Sequence, residues 1–569
     1  MKVNVSEQPM PTGRKPIPGD SQPGGDSQQR AQSPRDQAAA FRPARVAPIP
    51  LTQIARLLGL PEETIDPEVE VTGASLDSRA VLPGDLYFAL PGATRHGADF
   101  AHQAVDAGAV AVLTDDEGAR QLALDDALER VPVLVVDRPR AAVGPVSARV
   151  YRSQDPSDRM LLIGVTGTNG KTTTTYFANA LLSALGHRTG LIGTIEISAG
   201  GTPIPSRLTT PESTDVHALL ALMRERGVTA ASMEVSSHAI EFGRVDGVRY
   251  SAVGFSNLTQ DHLDLHGTME EYFLAKAALF TPERAAQAVV TVDDAWGRRL
   301  AAEAPIPVTT LSVSPDIPGT GADWTVAAVQ RRGLGTAFEL RHRDGDTLRA
   351  HTGLPGGFNV ANAALAILLV VSAGAALADV QSALDATDPF SVDVPGRMQL
   401  VGTEPAAVVD FAHNPDALER ALEAVRPPAP GRLIVVFGAT GQRDVGKRPI
   451  MGAVAVRGAD VVVVTDDDPH DEDAAGIRAE VLQGARAEDS ARDLGRRIDE
   501  VAPRAEAIRH AVSLAAPQDV ILVAGRGHET VQEVSGVDHA LDDRTELRAA
   551  MVEHGFTVVG AEPIESGKE

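Results

Sequence analysis

The chain has 569 residues, 43% hydrophobic and 23% charged, and 52 basic against 77 acidic side chains leave a net charge of −25. That length predicts three to four domains at about 150 residues each, and the acidity argues against a general binder of nucleic acid or anionic membrane. The lack of cysteine removes disulfides, thiolate nucleophiles and Cys-ligated zinc, and with no apolar run of about 18 residues a soluble, cytoplasmic α/β protein is expected.

Residues 1–47 are rich in Pro, Gly, Gln, Ser and Asp and poor in large apolar side chains, so a disordered tail is expected there. Order is expected from Ile49. Leu51 to Leu60 has helical spacing, and VEVTGASLDS, DLYFAL, AVAVL and VPVLVV read as strands of a small α/β domain over 48–155. A second domain, 156–394, opens with the apolar strand Met160 to Val165. It continues through strands TAASMEV, SAVGFSNL and QAVVTV, a helix from Glu270 to Phe280 and an apolar helix from Asn362 to Ala376. A third, 395–569, carries AAVVDFAH, RLIVVFGA, DVVVVTD and DVILVAG, each followed by helix-like sequence. Short, wholly apolar strands of this kind imply mostly parallel sheets covered on both faces. The late run DDRTELRAAM reads as an ordinary charged helix, and His342, His351 and His510 as surface or structural residues.

Between the strand ending at Val165 and the helix through Tyr176 lies Thr166-Gly167-Thr168-Asn169-Gly170-Lys171-Thr172-Thr173. Glycines there let main-chain N–H groups approach phosphate, and the helix N-terminus adds partial positive charge. Lys171 is placed to reach the β- and γ-phosphates and the Thr172 hydroxyl to bind Mg²⁺. Val165 stands where the strict Walker A pattern has Gly, so the core is Gly-x-x-Gly-Lys-Thr. Nucleoside triphosphate binding follows, with ATP as the first expectation. Two further polar strand ends, Glu234-Val-Ser-Ser-His238 and Ser256-Asn-Leu-Thr-Gln-Asp-His262, belong to the same domain. Strand C-ends of a parallel sheet gather on one edge, so Glu234 and His262 are candidate Mg²⁺ ligands. Lys276, on a helix, has no special role by spacing alone.

Together these motifs resemble the Mur ligase family of peptidoglycan synthesis. The carriers are Gly167-Thr-Asn-Gly-Lys-Thr-Thr173, Glu234-Val-Ser-Ser237, Asn257-Leu-Thr-Gln-Asp-His-Leu-Asp264, Lys276, Gly357-Phe-Asn-Val-Ala-Asn362, Gly396-Arg-Met398 and Asp410-Phe-Ala-His413. Asp77-Ser-Arg79, Thr209-Thr-Pro211, Arg443-Asp444, Gly446-Lys-Arg448, Asp466-Asp-Asp-Pro469 and Gly525-Arg-Gly-His-Glu529 are similar to the UDP-N-acetylmuramoyl-tripeptide synthetases within it. The resemblance implies a uridine nucleotide-binding domain, a central ATPase domain and a C-terminal Rossmann-like domain. It also implies a reaction, the ATP-dependent addition of a diamino acid to UDP-N-acetylmuramoyl-L-alanyl-D-glutamate through an acyl phosphate. The implied catalytic residues are Lys171, Glu234, His262 and Lys276; the last, carbamylated by CO₂, would join Thr172, Glu234 and His262 around Mg²⁺. ATP would be held by residues 167–173 with Asn359, Arg397, Asp410 and His413, and the muramoyl dipeptide by Ser78, Thr209, Thr210, Ser236 and Arg244. Phe242 and Leu208 depart from the Gln and Asn common in the family.

Asp467, Asp468, His470, Gly525 and Glu529 match the amino-acid site. Family members using meso-diaminopimelate carry Asp-Asn-Pro-Arg there; this chain has Asp467-Asp468-Pro469-His470. An imidazole lacks the bidentate fork of a guanidinium, and an added carboxylate attracts ammonium. A basic diamino acid is expected, L-lysine first, with ornithine or diaminobutyrate next. The alternative is that Arg443 or Arg526 pairs with the distal carboxylate and diaminopimelate still binds. A folylpolyglutamate synthase-like ligase and a non-catalytic nucleotide-gated protein remain as rival functions. Small-molecule substrates and a monomer are expected.

Overall fold

The computed structural model describes residues 33–63, 65–153, 160–204, 210–314, 321–442 and 444–559. Residues 1–32 of the expected tail lie outside these, but 33–47 depart from that expectation. Helix Pro34–Phe41 starts at a capping box made by Ser33 and Asp36. Phe41 is buried with the side chains under the central sheet. Arg42 donates to both carboxylate oxygens of Asp85 and to the Ala74 carbonyl. One aromatic and one arginine at the end of a polar stretch anchor it, a local feature that averaged composition hides.

Strands Gly73–Ser75, Asp85–Phe88, Ala111–Thr114 and Val133–Val135 form a four-stranded parallel sheet in that order. Its core closes against helix Pro139–Tyr151 and reaches Ala218 and Ala221 on helix Ser213–Glu225, so the first unit is packed onto the second.

The central sheet has eleven strands. From Thr189–Ile192 through Ala230–Glu234, Leu161–Thr166, Ala252–Phe255, Ala288–Thr291 and Val308–Ser312 to Trp324–Arg332 the strands run parallel. Antiparallel strands extend both edges: Ile197–Ala199 with Thr202–Ile204 on one, Gly335–His342 with Thr347–Thr352 on the other. Exposed and part-buried positions interrupt these edge strands, where the inner parallel strands Ala230–Glu234 and Ala252–Phe255 are buried throughout, the difference between a one-faced and a two-faced strand. Helices Lys171–Ala184 and Gly357–Ser372 cover one face. The second begins at Gly357 rather than at the expected Asn362, because the apolar periodicity starts a turn after the chain becomes helical.

The third sheet has seven strands, ordered Arg497–Glu500, Val461–Val464, Leu433–Phe437, Val520–Ala524, Ala406–Asp410, Gln399–Glu404 and Thr557–Val558. The first five are parallel and the last two antiparallel. Apolar clusters lie on both faces. Helix Asp543–Glu553 is not an ordinary charged helix: Asp543, fully buried, accepts from Nε and Nη2 of the equally buried Arg504, at 2.7 Å each. No helix among the described residues is long and apolar enough to cross a membrane.

Candidate active site

The register pairs Glu234 with Val165 and Phe255 with Thr166, so the ends of three neighbouring parallel strands converge at one edge. There the chain turns through residues 167–170 into the helix that opens at Lys171. Gly170 has φ +92°, and a Cβ on it would stand 2.3 Å from Asn362 Oδ1, so only glycine fits. Ser256 Oγ and Asn257 Nδ2 both donate to the Asn169 carbonyl, at 2.6 and 3.1 Å, and tie the turn to the adjacent strand end.

Lys171 Nζ donates to the carbonyls of Gly167 and Thr168, at 3.1 and 2.8 Å. Burial pulls it below the ordinary lysine value, against the charges of Glu234 and Asp261. A buried cation held only by main-chain carbonyls is a site for an anion.

Glu234 is fully buried. It accepts from Thr172 Oγ1 at 2.9 Å, Thr194 Oγ1 at 3.0 Å and Thr194 N at 2.8 Å. Lys276, also buried, donates to the Gly167 carbonyl at 2.9 Å and stands 4.5 Å from the Tyr272 ring centroid. Burial and the charge of Lys171 pull Lys276 well below its ordinary value, which favours the neutral amine. His262 takes a left-handed backbone, and its ring meets that of His238 edge-on at 4.9 Å. Burial pulls the imidazole down to about 4, against the neighbouring Asp261, so it is neutral at pH 7. The carboxylate, the Thr172 hydroxyl and a neutral imidazole fit a divalent cation such as Mg²⁺, which takes oxygen first. Lys276 as an amine does not.

The third unit closes on this edge. Arg397 lies half-buried over the Phe411 ring, 4.2 Å from its centroid, with Nη2 donating to Thr172 Oγ1 at 3.4 Å. Burial lowers its pKa below the ordinary arginine value. Asp410 accepts from Met398 N at 2.7 Å, which fixes the turn bearing Arg397. Asn169 Nδ2 donates to Asp416 at 3.1 Å, and His413 Nε2 lies 3.8 Å from Asp261. Asn359, on the helix beside the loop, donates to the Pro355 carbonyl at 2.8 Å and accepts from Asn362 at 3.1 Å.

Of the residues expected on the dipeptide side, Thr209 lies outside the described residues, as does Leu208. Thr210 Oγ1 donates to the Glu234 carbonyl at 2.9 Å, and Arg244 Nη1 to the Thr210 carbonyl at 3.3 Å. Arg244 also pairs with Glu212 at 2.9 Å, a carboxylate it shares with Arg140. Ser236 caps helix Ser237–Glu241 by accepting from Ala239 N. Ser78 belongs to the first unit, where its hydroxyl donates to Gln103 at 2.9 Å. Phe242 is exposed, with its carbonyl accepting from Arg140 at 2.8 Å.

Asp467, Asp468 and Glu529 bring carboxylate oxygens within 4.8 Å of one another. Gly525, at φ +116°, makes room: a Cβ there would approach Asp467 Oδ2 to 2.6 Å. Arg526, fully buried, donates to Asp468 and lies 3.7 Å from Asp467 and 3.9 Å from Glu529. Burial and the neighbouring Asp467 push Glu529 up to about 8, against Arg526. His470 Nδ1 donates to Glu533 Oε2 at 2.9 Å. Asp468 is therefore no free charge, as its sequence position suggests, but a partner of Arg526. Arg443 lies outside the described residues.

Sequence reasoning missed several of these groups. Thr194, which orients Glu234 through two donors, follows a strand end with no motif to mark it. Asp261 stands within a quoted motif, and His413 and His262 hold it well below the ordinary carboxylate range although burial opposes them. Glu533 becomes visible only when the hairpin Val531–Val534 and Val537–Ala540 folds onto His470.

Comparison with known proteins agrees with this geometry. The Mur ligase family catalytic domain matches residues 70–151, the Mur ligase middle domain 165–370 and the Mur ligase glutamate ligase domain 396–527. The chain is 45% identical over 520 residues to a UDP-N-acetylmuramyl-tripeptide synthetase of Leifsonia xyli subsp. xyli, covering 91% of this chain and 99% of that one. It is 46% identical over 514 residues to a UDP-N-acetylmuramoyl-L-alanyl-D-glutamate–2,6-diaminopimelate ligase of Streptomyces coelicolor, covering 90% and 98%. A solved structure of a ligase with that second name superposes with a TM-score of 0.61 at 31% identity, covering 90% of this chain and all of the other. Three matched domains in order, and relatives this similar over their whole length, show that the chain belongs to the Mur ligase family of ATP-dependent peptide ligases.

Proposed function

We propose that this ligase adds a diamino acid to UDP-N-acetylmuramoyl-L-alanyl-D-glutamate, and that the amino acid ends in an ammonium without a distal carboxylate, L-lysine first. The carrying observation is the group Asp467, Asp468 and Glu529 around Arg526: three carboxyl groups, Glu529 neutral below about pH 8, against one guanidinium that already faces Asp468. The surrounding cations are engaged in the same way. Arg448 faces Glu472 and Glu480, Arg478 faces Asp466 and Glu500, and Arg504 faces Asp543. Such a pocket attracts an ammonium and repels a second carboxylate.

In the proposed mechanism, Lys171 and Arg397 take the charge of the transferring γ-phosphoryl group of ATP, which suits them because their hydrogen bonds go to carbonyls, a hydroxyl and an imidazole rather than to a carboxylate. A D-glutamate carboxylate oxygen forms the new O–P bond as the bond to ADP breaks. The free amine of the diamino acid then attacks the acyl carbon, loses a proton and expels phosphate. Thr172, Glu234 and His262 would hold Mg²⁺, which supplies Lewis-acid neutralisation of phosphate charge. The neutral amine of Lys276 is the form that adds CO₂, giving a carbamate and a proton; the anionic oxygens would complete the donor set. Asn359, Asp410 and His413 would line the ATP side, and Ser78, Thr210, Ser236 and Arg244 the muramoyl dipeptide side.

The test is ligation read by mass spectrometry with ATP, Mg²⁺ and the dipeptide substrate, supplying lysine, ornithine, diaminobutyrate and meso-diaminopimelate separately. Product with the basic amino acids but not with diaminopimelate is expected. Product with diaminopimelate alone would keep the ligase and overturn the amino-acid class. ATP binding with no product from any of them would favour the nucleotide-gated reading.

A further inference from the structure

The hairpin after Glu529 is fastened to the loop 467–470 at four points and to Arg526 at a fifth. His470 N donates to the Glu533 carbonyl at 3.3 Å, Ser535 N to the His470 carbonyl at 2.8 Å and Glu533 N to Asp468 Oδ1 at 3.1 Å. Arg526 Nη2 donates to the Val531 carbonyl and Gln532 Nε2 to that of Asp467. The result places the Glu533 carboxylate on His470 Nδ1 at 2.9 Å, while His470 itself is held at φ +51°. Gly441 N, donating to the Asp468 carbonyl at 2.8 Å, fixes the loop from the other side.

We propose that Glu533 is a specificity-determining residue of the amino-acid site, acting through His470. The proposal rests on the reading of that site as one for an ammonium-ended diamino acid. Arg526 and His470 are the donors that face the carboxylates of this loop and hairpin. Asp468 accepts from the first and Glu533 from the second, so each donor has an in-chain carboxylate before a substrate arrives. A carboxylate on the incoming amino acid then competes with Asp468 and Glu533 for these donors. Glu533 also predicts a context effect at position 470: a guanidinium placed there finds a carboxylate waiting and pairs with it rather than with a substrate. The side chain of Glu533 is 41% exposed, and its fastening uses main-chain atoms, so its carboxylate is replaceable without loss of the hairpin.

The experiment compares the full chain with E533Q, H470R and the H470R/E533Q double variant. The readout is kcat/KM for meso-diaminopimelate relative to L-lysine, with KM for ATP measured alongside. H470R alone is expected to move the ratio less than about threefold, and the double variant about a hundredfold toward diaminopimelate, the size of one charge-assisted hydrogen bond. The change should fall on KM for the amino acid and leave KM for ATP in place. Equal shifts in H470R and the double variant, or no shift in either, would overturn the role of Glu533. If the unaltered enzyme itself prefers diaminopimelate, the reading of the site fails and this inference with it; a preference for lysine with uncoupled positions 470 and 533 defeats the inference alone.

Discussion

At the phosphate loop, Lys171 and Lys276 donate to the main-chain carbonyls of Gly167 and Thr168, whereas at 467–470 Arg526 and His470 face the carboxylates of Asp468 and Glu533. Both regions sit at the C-ends of parallel strands, in one case after Thr166, Glu234 and Phe255, in the other after Val464 and Ala524. The fold therefore supplies the same kind of edge twice, and charge pairing decides what each edge receives. A cation such as Lys171 held by carbonyls leaves a site that wants anions; donors matched by in-chain carboxylates leave one that wants ammonium. In a chain of net charge −25, the first arrangement is the one that needs explaining. Glu234 and Asp261 act on Lys171 through space, but its hydrogen bonds go to the Gly167 and Thr168 carbonyls and leave its charge for an anion.

The contrast breaks most severely where a committed cation is released. Asp543→Ala leaves Arg504 buried without its partner and is expected to cost about 3–5 kcal/mol. Denaturant titration of the variant, read by a probe in the C-terminal unit, checks this; unchanged unfolding would mean the pair is dispensable. At the phosphate loop, Lys171→Ala should lower kcat about 10²–10³-fold, the usual loss for one donor to developing charge. KM for the amino acid should hold steady in the same assay.

Lys276→Ala should reduce activity about a hundredfold, as for loss of a group that completes a metal donor set. The unaltered enzyme should also slow in CO₂-depleted buffer and recover with bicarbonate. Full activity in the variant would remove the carbamate from the mechanism.

The smallest effect concerns Glu529. Its pKa, pushed up to about 8 by burial and by Asp467, lies above the ordinary carboxylate value of about 4.3. Below pH 8 the group is neutral, and it becomes anionic as pH rises through 8, while a lysine side chain stays cationic up to about 10. Apparent KM for lysine should therefore fall a few-fold between pH 7 and 9, about threefold for one partly exposed charge. Glu529→Gln should flatten that dependence. A KM that rises over the same interval in the unaltered enzyme would contradict the assignment.

Much of the phosphate edge was legible in the sequence because its residues sit in short motifs at strand ends: Gly167 to Thr173 in one run, Glu234 and His262 closing two others. Inner parallel strands such as Leu433–Phe437, Val461–Val464 and Val520–Ala524 were legible as apolar runs, whereas Thr189–Ile192, Val308–Ser312 and Arg497–Glu500 were not. Nor were the antiparallel edges, since Trp324 to Thr352 alternates and carries no motif. Phe41 and Arg42 were lost in a polar average. At the amino-acid edge, the substitution of His470 for Arg was plain, but its meaning was not. Asp468 looked like a free charge because Arg526 is 58 residues away in sequence. Glu533 lay on a hairpin that no pattern connected to position 470. Charge state at a site is a property of pairs, and sequence displays single residues.

The claim that in-chain pairing makes the two edges opposite in charge is tested most directly by competition. The enzyme, ATP, Mg²⁺ and UDP-N-acetylmuramoyl-L-alanyl-D-glutamate would receive L-lysine and meso-diaminopimelate together at equal concentration, and the product masses would be counted. The account predicts the lysine adduct as the main product, because Arg526 and His470 already face the in-chain carboxylates of Asp468 and Glu533. A product pool dominated by the diaminopimelate adduct would contradict it.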